Sequence, residues 1–262
     1  MLQRQIPLRT AALSALLLQP GALLASESTG TLEVETGAVW QQRNRVQIPN
    51  DADSDRFDLT DIAGSGPWAS VRFNASWQFS GPHELRLVAA PLAYSERGSF
   101  DEDVRFEGER FTGGERLKAE YQFNPWRLGY SYRYFDANGW TLWAGATAGL
   151  RDAKIELTQG GPNQGKITAK NDDLGFIPLL YLAGEYAIAD RWTFRFDFDG
   201  LAGGPGRAFD ASVKIAYDVA PDWRISAGLR TLEGGVDTDD TYNFAWFNTA
   251  LVSLEYRFGT AR

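Results

Sequence analysis

From position 31 to position 258 the chain alternates apolar and polar residues with a period of two. Segments rich in glycine, proline, aspartate and asparagine separate one run from the next. A period of two sets one group of side chains on each face of a β-strand. In 68–79, Val71, Phe73, Ala75, Trp77 and Phe79 alternate with Arg72, Asn74, Ser76 and Gln78. In 250–258, Ala250, Val252, Leu254, Tyr256 and Phe258 alternate with a second set that includes Ser253, Glu255 and Arg257. Runs of this kind cover 31–47, 68–79, 84–97, 115–135, 140–158, 174–187, 192–202, 208–219, 223–235 and 242–258. The pattern predicts an all-β chain of ten antiparallel strands.

Two stretches bear on that number. The run 115–135 changes phase: Leu117, Ala119, Tyr121 and Phe123 are apolar at odd positions, and Trp126, Leu128, Tyr130, Tyr132 and Tyr134 at even ones. The switch falls at Asn124-Pro125. One extra residue there, a β-bulge, accounts for it, because a proline without an N–H is tolerated at a bulge. A turn at the same place would give an odd strand number instead. Residues 99–111 have room for a further hairpin, which would raise the number to twelve; eight is the smaller alternative.

A strand that is apolar on one face and charged on the other suits a closed barrel in a bilayer, with lipid outside and a polar lumen within. After the N-terminus no segment offers about 18 consecutive apolar residues, so no spanning helix is expected. The first, third and fifth connections are long and polar; the second, fourth, sixth and eighth are short, and so are the seventh and ninth, which does not break the assignment. Membrane barrels pair short periplasmic turns with longer external loops and an even strand number. Ten strands therefore put both termini in the periplasm. Trp77, Trp140, Trp192 and Trp223 each stand beside a short turn, where a periplasmic aromatic girdle would lie.

Composition fits this reading. The 262 residues are 13% aromatic with nine Trp, and they carry 26 Lys+Arg against 34 Asp+Glu, a net charge of −8. An acidic chain of this kind is not expected to bind nucleic acid. With no cysteine there is no disulfide or thiolate chemistry. At the N-terminus, Arg4 and Arg9 precede an apolar run that ends near Ala25, the form of a signal peptide. The expected organisation is a leader over 1–25 and one barrel domain over 26–262.

Ten tilted strands about 4.8 Å apart enclose a backbone cylinder about 20 Å across, and side chains on both walls take roughly half of it. The expected inward set is Glu33, Glu35, Arg72, Arg86, Glu120, Arg127, Arg133, Glu185, Arg195, Asp197, Asp199, Asp210, Lys214, Arg224, Arg230, Glu255 and Arg257. Both signs are mixed, so these groups are expected to pair and fill the lumen, since an unpaired charge in a confined site is costly. The densest part is a cluster of Arg195, Asp197, Asp199, Asp210 and Lys214, in which a hairpin register can place Asp197 opposite Lys214. A proton or cation path is one use of such a cluster; a structural ion-pair network is the expectation preferred.

Other candidates carry less chemistry. Asp51, Asp53 and Asp55 have the spacing of the first ligands of a calcium loop, but Arg56 and Ile62 replace the glycine and the acid that the loop requires. A solvated loop is expected there. His83 is the only histidine and falls in a predicted periplasmic turn. Gly203-Gly204-Pro205-Gly206 has no helix after it and reads as a turn rather than a phosphate loop. No residue is assigned a catalytic, cofactor-binding or metal-binding role, and no cofactor is expected.

The closing strand, ending on Tyr256 and Phe258, resembles the C-terminal assembly strand of bacterial outer-membrane β-barrels, although Gly259 to Arg262 run on past the aromatic. The whole alternating pattern is similar to the broad class of small barrels that includes the OmpA-like and OmpW-like proteins. That resemblance implies an outer-membrane location, lipid and lipopolysaccharide as surroundings, and recognition of 250–258 by the barrel-assembly machinery. It also implies a monomer. The function expected is non-enzymatic: a structural or surface-interaction barrel, or a narrow solute channel. The alternative is an enzyme acting on lipid or peptide at the external face.

Overall fold

The computed structural model describes residues 28–161 and 165–259; the expected leader over 1–25 lies outside the described residues. In chain order the elements are β1 (Thr29–Gln47), β2 (Phe57–Asp58), helix α1 (Leu59–Ala63), β3 (Trp68–Ser80), β4 (His83–Ala89) and β5 (Leu92–Gly98). There follow β6 (Val104–Phe106), β7 (Glu109–Phe111), β8 (Leu117–Ala137), β9 (Trp140–Gln159) and β10 (Ile167–Ala189). The chain closes with β11 (Trp192–Gly203), β12 (Gly206–Ala220), β13 (Trp223–Asp237) and β14 (Tyr242–Phe258).

Each long strand pairs antiparallel with the next, and β14 returns to β1 from Gly30↔Phe258 to Gln47↔Tyr242, so the sheet closes on itself. β4 and β5 together make one wall strand. They part at Ala90-Pro91 but face β8 in one register, Ala89↔Trp126 and Leu92↔Phe123. The result is the expected up-and-down barrel of ten strands. The hairpin anticipated within 99–111 exists as β6–β7, but it forms a sheet of its own and adds nothing to the barrel wall.

The bulge expected at Asn124-Pro125 is absent. β8 crosses this point in unbroken register with β9, Asn124↔Asp152, Pro125↔Arg151 and Trp126↔Leu150. Odd residues of β8 face inward on both sides of Asn124, as far as Arg133: Leu117, Ala119, Tyr121, Arg127 and Ser131 are all buried. What changes at Asn124 is the surroundings. Below it the outside is lipid and the inside polar; above it the outside is water and the inside apolar. Glu120 accordingly faces out, not in, and pairs with Lys154 at 3.0 Å and with Lys118. The extra residues lie elsewhere. Phe79, Tyr134, Ile188 and Val219 are each bulged just before one of the four turns at the end that carries the tryptophans, and Gln42 is bulged in β1.

The lipid-facing belt is built from Leu32, Val34, Phe73, Leu87, Leu128, Leu180, Leu229, Val252 and Leu254, all exposed. Water would not tolerate such a surface, whereas a bilayer core requires it, and only a closed barrel leaves strands with no unpaired edge there. At the short-turn end Trp140 packs on Tyr186, Trp192 on Tyr217 and Trp223 on Tyr256, with ring centroids 4.8, 4.8 and 4.9 Å apart. These cross-strand pairs form the girdle that the tryptophan positions predict.

Above the belt the barrel has an apolar core of its own. Phe57, Leu59 and Ile62 from the first external loop meet Phe100, Val104, Phe106 and Phe111 from the second. Val39, Val46, Tyr94, Leu117, Tyr121, Leu157 and Phe247 of the wall surround them. Asp58 caps α1 by accepting from the Thr60 N–H at 3.1 Å and also accepts from the Asn44 N–H at 2.8 Å, which turns Leu59 and Ile62 into the barrel. Phe106, Phe111 and Leu59 are fully buried, each contributing about 1.5–3 kcal/mol by burial. The loops therefore form a folded plug across the outer mouth.

Candidate functional site

The lumen at mid-height is crossed by ion pairs, and Asp210 of β12 is their hub. Its carboxylate accepts from Arg72 of β3 at 3.0 Å, Arg127 of β8 at 2.6 Å and Arg230 of β13 at 2.6 Å. Asp199 of β11 accepts from Arg127 at 3.2 Å and from the Thr147 hydroxyl at 2.7 Å. Lys214 donates to Glu33 and Glu35 of β1, both at 2.9 Å, and Arg230 reaches Glu35 at 3.1 Å. Lower down, Arg195 joins Glu185 and Glu255, each at 2.7 Å. Asp199, Asp210, Lys214, Glu33, Glu35 and Glu255 are all buried.

The period-two pattern explains why these groups converge. Residues 195, 197 and 199 on β11 and 210, 212 and 214 on β12 share the inward face, so the sequence-predicted cluster of Arg195, Asp197, Asp199, Asp210 and Lys214 does line one side of the lumen. Its internal pairing differs from the expectation. The tight turn between Gly203 and Gly206 fixes the hairpin so that Asp197 lies opposite Ser212, Asp199 opposite Asp210 and Arg195 opposite Lys214. Asp197 therefore bonds to the Ser212 hydroxyl and Arg230, while Lys214 turns across the lumen to β1. Two acids directly opposite each other would repel; the guanidinium groups of Arg127 and Arg230 relieve this. Arg127, Arg72 and Lys214 are the members that link β12 to distant walls.

The network divides the interior. Beneath it lies a polar cavity of about 260 Å³, walled by Gln78, Glu84, Arg86, Glu185 and Arg224. Above it lies a mainly apolar cavity of about 410 Å³, walled by Tyr121, Phe123, Leu179, Leu232 and Phe247. The upper cavity reaches a break in the wall. β10 pairs with β11 only up to Leu180↔Gly200, although β10 continues to Ile167. Pro178, which has no N–H to give to either neighbour, stands where the ladder stops. The β11–β12 hairpin ends at Gly203↔Gly206, and the upper part of β10 has no strand on that side among the described residues. Sequence reasoning did not use Pro178, although a proline within a strand that otherwise reads as internal signals an edge.

The remaining candidates have other roles. Asp51 accepts from the Asp53 N–H at 2.9 Å. Asp55 ties the first loop to the second through the Arg105 N–H at 2.9 Å and the Arg105 guanidinium at 3.2 Å. These hydrogen bonds hold the Asp55 carboxyl below the usual range for aspartate. His83 starts β4 at the short-turn end, with its Nδ1 2.7 Å from the Tyr130 hydroxyl. Gly203 to Gly206 form the β11–β12 turn.

No protein-family model matches the sequence, and no curated protein matches it. Among solved structures the chain is similar to the outer membrane protease OmpT from Escherichia coli, at TM-score 0.55 and 10% identity, with 88% of this chain and 97% of that chain covered. It also matches the outer membrane protein AlkL at TM-score 0.43 and 12% identity, over 93% and 97% of the two chains. A further match is the attachment invasion locus protein Ail of Yersinia pestis at TM-score 0.36 and 12% identity, over 87% and 99%. At these identities the likeness concerns the fold, and the first match alone carries weight. Closed ten-strand pairing, an apolar belt and a charged lumen together make this chain a bacterial outer-membrane β-barrel.

Proposed function

We propose that this protein is a non-enzymatic outer-membrane barrel whose lumen is closed to solutes, and that it works through its surface rather than as a pore. The observation that carries this reading is the Asp210 hub, which ties β12 across the lumen to β3 at 3.0 Å and β8 at 2.6 Å, and along the sheet to the neighbouring β13 at 2.6 Å. A continuous water path would have to break charge-assisted hydrogen bonds that are buried, and leaving one such partner unpaired costs about 3–5 kcal/mol. The loop plug closes the outer mouth a second time.

The non-enzymatic part rests on how the titratable groups are used. The network carboxylates Asp197, Asp199, Asp210, Glu33, Glu35 and Glu255 are engaged by arginine or lysine, Glu84 below them accepts from the Ser131 hydroxyl, and the only histidine stands at the periplasmic end beside Tyr130. The surroundings proposed are lipid and lipopolysaccharide, met as a monomer, with the exposed row of Val252, Leu254, Tyr256 and Phe258 presented to the assembly machinery.

Single-channel recording of the refolded chain in a planar bilayer tests the closed lumen. The expected record is silent while protease protection shows the barrel inserted. Stable ohmic openings would overturn the proposal and turn the lumen charges into selectivity candidates.

A further inference from the structure

The break between β10 and β11 opens the upper cavity sideways. Leu174 and Phe176, on the outward face of β10 beside the break, are each 69% exposed and continue the lipid-facing belt upward. Pro178, Leu179 and Leu201 border the gap, and Tyr121, Phe123 and Phe247 line the space behind it. An apolar surface thus runs without interruption from the belt, through the wall, into an internal cavity. At about 410 Å³ that cavity falls in the roughly 300–1,000 Å³ range of small-molecule sites.

The walls also carry cationic groups in particular places. Arg151 of β9 lies flat over Gly175 of β10: a Cβ at Gly175 would stand 3.2 Å from the Arg151 Nη2. A glycine there leaves room for the guanidinium on the strand that carries the open edge. Arg151 pairs with Asp173, while its Nε has no hydrogen-bond partner among the described residues. On the outer face at the same cavity, Arg207 and Arg43 share the single carboxylate of Glu233, at 2.7 and 3.0 Å. Positive charge is therefore in excess at Glu233.

From this arrangement we propose that the upper cavity holds the acyl chain of an anionic amphiphile that enters sideways from the outer leaflet, with its head group at Arg151 and Arg207. A neutral hydrocarbon would use the cavity but not the guanidinium groups. A soluble anion would use the guanidinium groups but not the apolar wall. An amphiphile satisfies both, and the belt that adjoins the gap is where amphiphiles are most concentrated. This site lies above the Asp210 hub and does not need a conducting lumen, so the closed-lumen proposal and this one stand or fall separately.

The test uses the refolded chain in phosphatidylcholine nanodiscs and a dodecanoate that bears a diazirine at its far end. After illumination the adducts are mapped by mass spectrometry. The expected adducts fall on Tyr121, Phe123 and Phe247 and are competed away by unlabelled laurate. Filling the cavity with Ala153→Phe, or with Ala208→Phe should that chain not fold, removes them. Arg151→Gln is expected to weaken labelling by the carboxylate probe about tenfold, the effect of one charge-assisted hydrogen bond, and to leave labelling by the corresponding alcohol unchanged. Adducts confined to belt residues such as Leu128 and Val252, with no competition by laurate, would overturn the site. An Arg151→Gln chain that labels as well as the parent would overturn the head-group assignment.

Discussion

Arg127 and Asp210 stand 2.6 Å apart, Nη1 to Oδ2, although β8 and β12 are separated by three strands along the sheet. Their contact spans the lumen, and Asp210 makes comparable contacts with Arg72 and Arg230. Replacing Asp210 by alanine leaves three buried guanidinium groups without that carboxylate. Asp210→Ala is expected to destabilise the barrel by about 3–5 kcal/mol, read as a lowered urea midpoint in tryptophan fluorescence. An unchanged midpoint would mean that the hub does not hold the walls together.

The exchange of surroundings at Asn124 makes depth along β8 testable on a single face. Leu128 and Gln122 both point outward, but Leu128 lies within the belt and Gln122 above it. Leu128→Lys is expected to cost about 2–4 kcal/mol and Gln122→Lys about 0–1 kcal/mol. Refolding midpoints into vesicles compare the two. Equal costs would place the membrane boundary elsewhere.

Close approach of strands constrains certain inward glycines. A Cβ added at Gly145 would stand 2.0 Å from the Tyr130 carbonyl oxygen, and one at Gly228 would stand 2.1 Å from that of Val213. Backbone cannot yield as a flexible side chain does, so Gly145→Ala should destabilise by about 1–3 kcal/mol. Gly161, where an added Cβ meets nothing within 4 Å, supplies the control. Thermal loss of the compact form on unheated SDS gels compares them, and a harmless Gly145→Ala would contradict the close approach.

The Asp55–Arg105 clip should respond to acid. Because the Arg105 hydrogen bonds lower the Asp55 pKa, the clip contributes its full stabilisation above the ordinary aspartate value of about 3.9 and loses it as pH falls through the lowered value. Amide exchange in residues 51–58 and 104–106 is expected to be unaltered by clip loss between pH 7 and pH 5 once intrinsic exchange is normalised, and to accelerate only in stronger acid. Loosening already near pH 5 would assign the loop's stability to another group.

Alternation of apolar and polar side chains was enough, by itself, to predict a closed barrel with ten as the leading strand number, the inward faces outside 115–124, and the end that carries the aromatic girdle. Period two is a local property of the backbone, and a bilayer imposes it on each strand separately. The same argument brought Arg195, Asp197, Asp199, Asp210 and Lys214 to one wall. Pairing partners were a different matter. Asp197 against Ser212 rather than Lys214 depends on the exact turn at Gly203–Gly206, and Arg127 against Asp210 depends on closure of the whole sheet. The phase change in 115–135 looked like a bulge because a sequence shows polarity without showing what lies on each side. Only the tertiary structure, by folding Phe57, Leu59, Phe106 and Phe111 into the outer mouth, made the inside of the barrel apolar where the outside met water. The lateral gap likewise arose from two strands of unequal length meeting at Pro178, a relation between elements that no single run contains.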